Sequence, residues 1–214
     1  MRISLAVATA VTAAALAAPA GASAATLAVE PAEACYREQQ SVVLTGTGFS
    51  ANGTVDISRG GNSLGTLAAD ASGTFQGRLD LPGLVSGQSS LTYLATDTAN
   101  PALTAPVTVV ATATDVGVRP LSGRATRRFR IKARGFFGGR TLWAHLVRRG
   151  SRGAVRTVRI GRIKGPCRKV SARRRLLRQR TPAGEYRVQF DTFRRYRANR
   201  KVEYDRLTVT VTRD

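Results

Sequence analysis

Apolar and polar residues alternate with a period of two along most of the chain after its first 25 residues. Three apolar residues alternate with three basic residues in the segment 128–133, and the segments 75–81 and 186–191 alternate in the same way. A period of two places one set of side chains in a core and the other in water, which is typical of half-buried β-strands. The pattern therefore predicts an all-β protein.

Clusters of Gly, Asn, Pro and Ser separate these runs, at the spacing of roughly 8–12 residues that is typical of antiparallel sandwiches. Seven strands are predicted in the first half, at 26–30, 41–47, 54–59, 62–68, 73–81, 89–97 and 104–112. Seven more are predicted in the second half, at 115–119, 125–134, 141–149, 154–163, 168–177, 184–193 and 202–212. Seven strands in about 100 residues fit an immunoglobulin-like β-sandwich.

The two halves also share short sequence matches. Gly48-Phe49 recurs as Gly135-Phe136, and Asp97-Thr98 recurs as Asp191-Thr192. The number of residues between matching positions differs from one match to the next. This difference indicates loop insertions in a fold that occurs twice along the chain. We therefore predict two tandem sandwiches, residues 25–113 and 114–214, joined by a short linker near 112–116.

The first 24 residues have the composition of a secretory signal peptide. Arg2 precedes an uncharged apolar run that ends near Ala18, and Ala22-Ser23-Ala24 gives the small-x-small pattern of a cleavage site. The alternative is a retained membrane anchor, but the run is shorter than the roughly 20 residues that a bilayer requires. We expect cleavage, and a secreted or surface-associated mature chain without a transmembrane span.

The first half resembles a known family. Ser41–Phe49, Gly53–Val55, Leu67–Phe75 and Leu81-Pro82 resemble the Ig-like repeats of secreted proteins from GC-rich bacteria, and residues 69–75 are similar to a stretch of the neocarzinostatin-type carriers. The repeat family implies spacing, adhesion or surface display and no catalytic residue. The carriers have disulfides within a domain, whereas the first half here contains Cys35 alone. In the second half, Thr181–Val188 looks like the approach to strand F of Ig-like domains, where a tyrosine packs at a corner.

The net charge is confined to one half. The chain of 214 residues contains 34 Lys and Arg, 13 Asp and Glu, and carries a formal charge of +21. Residues 25–113 hold three basic and seven acidic residues, a net −4, whereas residues 114–214 hold 30 basic and six acidic residues, a net +24. A GC-rich genome explains the preference for Arg over Lys, but it does not explain this asymmetry. The second half is therefore predicted to have an anionic partner.

The candidate binding residues are cations of the second half, because the planar guanidinium of Arg fits phosphate and carboxylate groups. They are Arg128, Arg130, Lys132, Arg173, Arg174, Arg175, Arg178, Arg194, Arg195, Arg197 and Arg200. Aromatic residues interleaved with them would stack bases or sugars if exposed, namely Tyr186, Phe190, Phe193, Tyr196 and Tyr204. The expected partners are anionic envelope polymers, acidic polysaccharide or extracellular nucleic acid, bound without sequence specificity. The alternative is a solvated basic surface that only keeps the protein soluble.

Little in the sequence points to catalysis. His145 is the single histidine, and although Asp191 would approach it from a neighbouring strand, no nucleophile motif accompanies the pair. It is therefore interpreted as structural or exposed. Asp70 and Asp80 are interpreted as a turn residue and a strand-surface residue rather than a glycosidase pair. One His, one Met and two Cys leave no expected metal site or cofactor.

The two cysteines, Cys35 and Cys167, fall one in each half, which excludes a disulfide within either predicted domain. An exported chain permits a bridge between the domains, a bridge between molecules, or two free thiols, and the sequence leaves all three open.

The sequence thus predicts a non-enzymatic exported protein with an electrostatically attaching second domain and a first domain that acts as a spacer or partner-binding unit. The alternatives are a small-molecule carrier of the neocarzinostatin type, which requires an apolar cleft in the first domain, and a purely structural surface protein.

Overall fold

The computed structural model describes residues 24–198 and 205–212, and in these two stretches it contains sixteen β-strands and no helix. Residues 1–23 of the predicted signal peptide lie outside the described residues. The strands of the first half are β1 Thr26–Glu30, β2 Tyr36–Arg37, β3 Ser41–Thr47, β4 Thr54–Arg59, β5 Asn62–Ala68, β6 Phe75–Asp80, β7 Gln88–Asp97 and β8 Thr104–Thr112. Those of the second half are β9 Asp115–Arg119, β10 Ser122–Arg124, β11 Arg128–Arg134, β12 Thr141–Arg148, β13 Arg156–Arg162, β14 Val170–Arg175, β15 Gly184–Asp191 and β16 Asp205–Thr212.

Each half is a sandwich of a three-stranded and a five-stranded sheet. In the first half the sheets have the orders β1-β3-β6 and β2-β8-β7-β4-β5. The second half repeats this topology strand for strand, as β9-β11-β14 and β10-β16-β15-β12-β13. Each sandwich encloses its own cluster of buried apolar side chains. The prediction of an all-β, sandwich-type fold is confirmed.

The predicted strands coincide with the observed ones to within about three residues, but the sequence missed β2 and β10. Both lie shortly after a proline, Pro31 or Pro120, that interrupts the first strand of its domain because proline has no N–H to donate. The chain then crosses to the other sheet and pairs in parallel with the last strand of the domain. Strands of two or three residues are too short to show a period of two.

The repeated Gly-Phe pair lies in a turn whose backbone approaches another segment of the chain closely. Gly48 and Gly135 both have positive φ, 81° and 76°, where residues with a side chain are strained. A Cβ on Gly135 would lie 2.2 Å from the carbonyl oxygen of Ala113, and one on Gly48 would lie 3.1 Å from that of Ala24. In both domains this turn therefore packs against the segment that enters the first strand.

Two residues, Ala113 and Thr114, connect β8 to β9, and side chains from both domains hold them. Glu38 accepts hydrogen bonds from the backbone N–H of Thr114 (3.1 Å) and of Leu84 (2.9 Å). Asp115 accepts one from the backbone N–H of Gly87 (2.6 Å) and lies 3.5 Å from Nε of Arg134. The connection is therefore a hydrogen-bonded junction.

A disulfide joins Cys35 to Cys167 across this junction, over a sequence separation of 132 residues. Both cysteines are buried. The ring centroid of Phe137 lies within 6 Å of the guanidinium of Arg37 from the first domain and of that of Arg168 from the second. Of the three possibilities that the sequence left open, the structure has the bridge between the two halves.

Candidate functional site: a basic sheet face

The outward side of the three-stranded sheet in the second sandwich carries a dense group of cations. On β11, Phe129, Ile131 and Ala133 point into the core and are buried, whereas the alternating residues are exposed. The exposed residues are Arg128, Arg130 and Lys132. The period of two in the sequence thus places three of the predicted binding residues on one side of one strand.

Strand pairing adds cations from both neighbouring strands. Arg130 pairs with Arg119 of β9 on one side and with Arg173 of β14 on the other, which makes a row of three arginines across the sheet. Arg128 pairs with Arg175. We call the basic face the outward side formed by Arg119, Arg128, Arg130, Lys132, Arg134, Arg173 and Arg175. Like charges directly opposite each other destabilise a sheet, so folding alone gives no reason for this row.

A shallow cavity of about 330 Å³ lies within the basic face. Its floor includes Gly117, which pairs with Lys132 and leaves a gap between the surrounding cationic side chains. A Cβ on Gly117 would lie 3.9 Å from the carbonyl oxygen of Lys132, an ordinary contact, so packing does not exclude a side chain there. Asp115 is the one acidic residue lining this cavity, and it is committed to Arg134 and to Gly87.

The first domain offers an internal comparison, because its three-stranded sheet has the same topology. There Val43 pairs with Glu30 and with Arg78, in the positions that Arg130, Arg119 and Arg173 occupy in the second domain. Glu30 and Arg119 are each the last residue of the first strand and directly precede a proline. The same fold therefore exists in this chain without the arginine row.

The structure places the remaining predicted residues that it describes outside the basic face. Arg174 alternates with Arg173 and Arg175 along β14, so it does not share their side of the sheet. Its Nε donates to the carbonyl of Ile160 (3.0 Å) at the sheet edge. Arg178 lies in the loop after β14, and Arg194, Arg195 and Arg197 lie in the loop after β15. Arg200 lies outside the described residues.

Two of the interleaved aromatic residues are unavailable for stacking. Tyr186 and Phe190 point into the core and are buried, so they do not meet the condition of exposure on which that prediction depended. The hydroxyl of Tyr186 donates to the carbonyl of Pro182 (2.9 Å), the arrangement of a tyrosine corner. Phe193 is partly exposed beneath the guanidinium of Arg197, and Tyr204 lies outside the described residues.

Two members of the basic face, Arg119 and Arg134, were not among the predicted binding residues. Arg134 continues the period of two on β11, and that signal was available in the sequence. Arg119 is a single cation at the end of β9, and it joins the face only through its register with Arg130.

His145 lies in a buried polar network on the outward side of the five-stranded sheet. Its Nε2 lies 3.1 Å from a carboxylate oxygen of Asp191 and 3.0 Å from the carbonyl of Phe193, and its Nδ1 lies 2.9 Å from the hydroxyl of Thr157. The amide of Gln189 donates to the second oxygen of Asp191 (2.8 Å). The side chains of His145 and Asp191 are at most 2% exposed. The network fastens the loop after β15 to the sheet, which agrees with the interpretation of His145 as structural.

Asp97 occupies in the first domain the position of Asp191. It accepts hydrogen bonds from the backbone N–H groups of Ser50 (2.8 Å), Ala99 (2.9 Å) and Asn100 (3.0 Å). The bond from Ser50 and then the others lower the pKa of Asp97 to about 2. The repeated Asp-Thr pair in the sequence therefore marks a buried carboxylate that organises the loop after the same strand in each domain.

This pKa predicts an acid-sensitive first domain. Because the folded-state pKa of Asp97 lies below its unfolded value, the stabilisation is present above about pH 4 and is lost as the pH falls towards 2. We expect the protection of the amides of Ser50 and Ala99 against hydrogen exchange, relative to their intrinsic exchange rates at each pH, to fall across this range. In Asp97→Asn, which has no carboxylate to protonate, the same amides should already be less protected at pH 6, and their protection should depend less on pH. An unchanged pH profile in this variant would contradict the assignment.

Asp70 and Asp80 lie where the sequence placed them, in a turn and on a strand surface. Asp70 accepts from the hydroxyl and backbone N–H of Ser72 and from the N–H of Thr74, and these bonds lower its pKa. Asp80 contacts Ser41 and Arg78, which lower its pKa in that order.

Other kinds of site are limited in the part of the chain that the structure describes. No group of three or more His, Cys, Asp or Glu side chains there has the proximity to hold a metal ion. Within the same residues there is no helix of the length and apolar character needed to cross a membrane. In the first domain, an apolar cavity of about 150 Å³ borders Leu44, Ile57 and Leu67, which is smaller than the roughly 300 Å³ at which typical ligand pockets begin.

No protein-family model and no curated protein matches the chain. Among solved structures, the chain is 12% identical to the adhesin InvE of Yersinia pseudotuberculosis, with a TM-score of 0.36 over 87% of this chain and 58% of that one. It is 13% identical to the human OSCAR ligand-binding domain, with a TM-score of 0.36 over 88% and 98% of the two chains. It is 18% identical to a tetra-tandem repeat from the extending region of a large adhesion protein, with a TM-score of 0.31 over 88% and 49%. This chain therefore spans about half the length of the two adhesion proteins.

Proposed function

We propose that this protein is an exported, non-enzymatic Ig-like module protein whose second domain attaches through the basic face to anionic polymers of a cell envelope. The first domain acts as a spacer or a partner-binding unit. Export is supported by the signal-like segment 1–24 and by the disulfide between buried cysteines, since such bridges persist in oxidising compartments.

The observation that carries the proposal is the arginine row Arg119–Arg130–Arg173. Its members oppose one another directly across three strands, an arrangement with a cost in sheet stability. The equivalent row of the first domain, Glu30–Val43–Arg78, avoids that cost within the same fold. A polyanion bound over the sheet would neutralise the three arginines. Their mutual repulsion would then be offset by attraction to the bound polymer.

The spacing of the cations fits a linear polymer with repeated phosphate or acidic groups. Alternate residues of β11 are about 7 Å apart along the strand, and neighbouring strands are about 4.8 Å apart. Side chains on such a grid offer forked donors at several points of one extended chain, and arginine binds phosphate and carboxylate in a bidentate manner. Binding of this kind does not depend on the sequence of a nucleic acid or the exact sugar of a polysaccharide.

The test is the salt dependence of binding to heparin and to single-stranded DNA, with the full chain. In the triple variant Arg119→Gln, Arg130→Gln and Arg173→Gln, the slope of log K against log salt should fall by about 2–3, because each lost ionic contact contributes about 0.7–0.9. Stability to urea should stay equal or rise, since the substitutions relieve like-charge contacts.

The matched control is Arg152→Gln, Arg162→Gln and Arg187→Gln, which removes the same charge from exposed residues elsewhere in the second domain. We expect this control to reduce the slope by less than half as much. An equal reduction in both triple variants would mean that the charge is a diffuse solvated surface, and the proposal would then be wrong.

A further inference from the structure

A second shallow cavity, of about 270 Å³, lies at the end of the basic face next to Pro120. We call it the arginine cavity, because its lining consists of Pro120 and of Arg119, Arg127, Arg128, Arg130 and Arg173. All five arginines are exposed, so a ligand can reach them from solvent. No acidic side chain is among the lining residues that the structure describes. The cavity therefore presents positive charge alone.

The five guanidinium groups are also uncommitted. Within the described residues none of them has a hydrogen-bond or ion-pair partner, whereas Arg134 at the other end of the face lies 3.5 Å from Asp115. The stem of Arg127 packs on the bare backbone of Gly123, where an added Cβ would lie 2.6 Å from Cδ of the arginine. The arginine cavity is thus a group of available cations, of which Arg127 is positioned by a glycine.

The arrangement of these cations favours an anion with more than one charge on one small group. Arg119, Arg130 and Arg173 lie on neighbouring strands about 4.8 Å apart, so their long side chains can converge on a group above Arg130. A carboxylate offers two oxygens and a single charge. A phosphate monoester offers three acceptor oxygens and a charge of about −1.5 to −2 at neutral pH. It is therefore the better match for several convergent guanidinium groups.

The arginine cavity adjoins the cavity over Gly117, and the two share Arg119 and Arg130. The cavity over Gly117 continues along β11 to Lys132 and Arg134. The cations are sparser there, because Lys132 pairs with Gly117 rather than with another arginine of β9. Positive charge is thus densest next to Pro120 and decreases along a continuous path.

We propose that the basic face binds an anionic chain by its end, with a terminal phosphate monoester in the arginine cavity and the following units over Gly117 beside Lys132. This inference deepens the proposed function and rests on it, since it names the chemical group that the same face selects. A chain without such an end would bind through its internal charges alone. A free monoester would fill the arginine cavity but would not reach Lys132.

The test compares two oligothymidylates by competition binding to the full chain. One carries a 5′-phosphate, and the other has a 5′-hydroxyl and is lengthened so that both have the same total charge. The phosphorylated chain should bind about tenfold more tightly, because its terminal charge is concentrated on one group that accepts from several arginines. Thymidine 5′-monophosphate should bind about tenfold more weakly than the phosphorylated chain, because it makes no contact beyond the arginine cavity.

The preference for the phosphorylated chain should depend on pH through the ligand. The second ionisation of a phosphate monoester lies near about pH 6, whereas arginine stays charged throughout. Asp115 is the one acidic residue of β9, β11 and β14, and it lies at the far end of the sheet against Arg134. We therefore expect the preference to grow as the pH rises from about 5 to about 7.5. The 5′-hydroxyl chain should show no such increase.

Two single-charge variants separate the two cavities. Arg127→Gln removes a cation that lines the arginine cavity alone, and Lys132→Gln removes one that lines the cavity over Gly117 alone. Arg127→Gln should reduce the tenfold preference to about threefold. Lys132→Gln should weaken both chains by the same factor and leave the preference unchanged. Urea unfolding followed by Trp143 fluorescence verifies that each variant is folded.

Three results would overturn this inference alone: equal affinities of the two chains, a preference that does not change with pH, and equal losses of the preference in Arg127→Gln and Lys132→Gln. Equal affinities of thymidine 5′-monophosphate and the phosphorylated chain would also overturn it, because the arginine cavity would then bind a free monoester. In each of these cases the proposed function stands if the arginine-row variant still lowers the salt slope. If neither chain binds, or if that variant leaves the slope unchanged, both proposals are wrong.

Discussion

Replacing both Cys35 and Cys167 by alanine is expected to lower the free energy of unfolding by about 5 kcal/mol. The bridge spans a sequence separation of 132 residues, and closing a loop of that length removes about this much conformational entropy from the unfolded chain. Each sandwich has its own core, so the domains remain folded in the variant and unfold in two separate steps. Urea denaturation and calorimetry measure both effects.

The same variant should also lose part of the fixed arrangement at the junction. The hydrogen bonds of Glu38 and Asp115 and the contact of Arg37 with Phe137 remain, but the two-residue connection is then the one covalent link between the domains. We expect a broader distribution of interdomain distances in small-angle scattering. Wild-type protein treated with a reductant is the control and should behave like the variant. An unchanged unfolding midpoint and an unchanged scattering profile would refute the role assigned to the bridge.

Asp191→Ala is expected to destabilise the second domain by about 3–5 kcal/mol. The carboxylate accepts from Nε2 of His145, from the amide of Gln189 and from the backbone N–H of Phe193. Removing it deletes three hydrogen bonds to a charged acceptor, each of which contributes about 1.5–3 kcal/mol. The loss stays below their sum because the imidazole and the amide keep the carbonyls of Phe193 and Arg197 as acceptors. Trp143, the single tryptophan, pairs with Asp191 across β12 and β15, so its fluorescence reports unfolding at the site.

Asp191→Asn is the matched control for this prediction. It keeps the side-chain shape and one acceptor oxygen but loses the charge, so a loss smaller than that of the alanine variant is expected. Thr208→Ala, an exposed change on the neighbouring strand β16, should alter stability by less than about 0.5 kcal/mol. If Asp191→Ala loses less than about 1 kcal/mol, the network does not hold the loop after β15 as described.

Local patterning explains how much of the fold was predictable. Phe129, Ile131 and Ala133 alternate with cations because a strand points successive side chains to opposite sides, and this rule needs no knowledge of the partner strand. The same reasoning found the other long strands, whereas the tyrosine corner at Tyr186 was implied by the resemblance of Thr181–Val188 to Ig-like domains. It missed β2 and β10, which exist only because the last strand of each domain offers a free edge to pair with.

The candidate sites were less predictable, because their geometry depends on contacts between residues distant in the sequence. Arg173, Arg174 and Arg175 are consecutive, yet the register with β11 puts the first and third on the basic face and sends the second to the sheet edge. Arg178 belongs to the same cluster in the sequence, but it lies in the loop after β14.

By itself, then, the sequence determined the strand content, the twofold repeat and the confinement of positive charge to residues 114–214, because periodicity, turn residues and charge are local properties of the chain. The tertiary structure decided that Arg119 joins Arg130 and Arg173 in one row and that Cys35 meets Cys167. These features follow from strand register, from the crossing of the chain between sheets and from the junction of the two domains. All three are set by long-range packing, which no local pattern encodes.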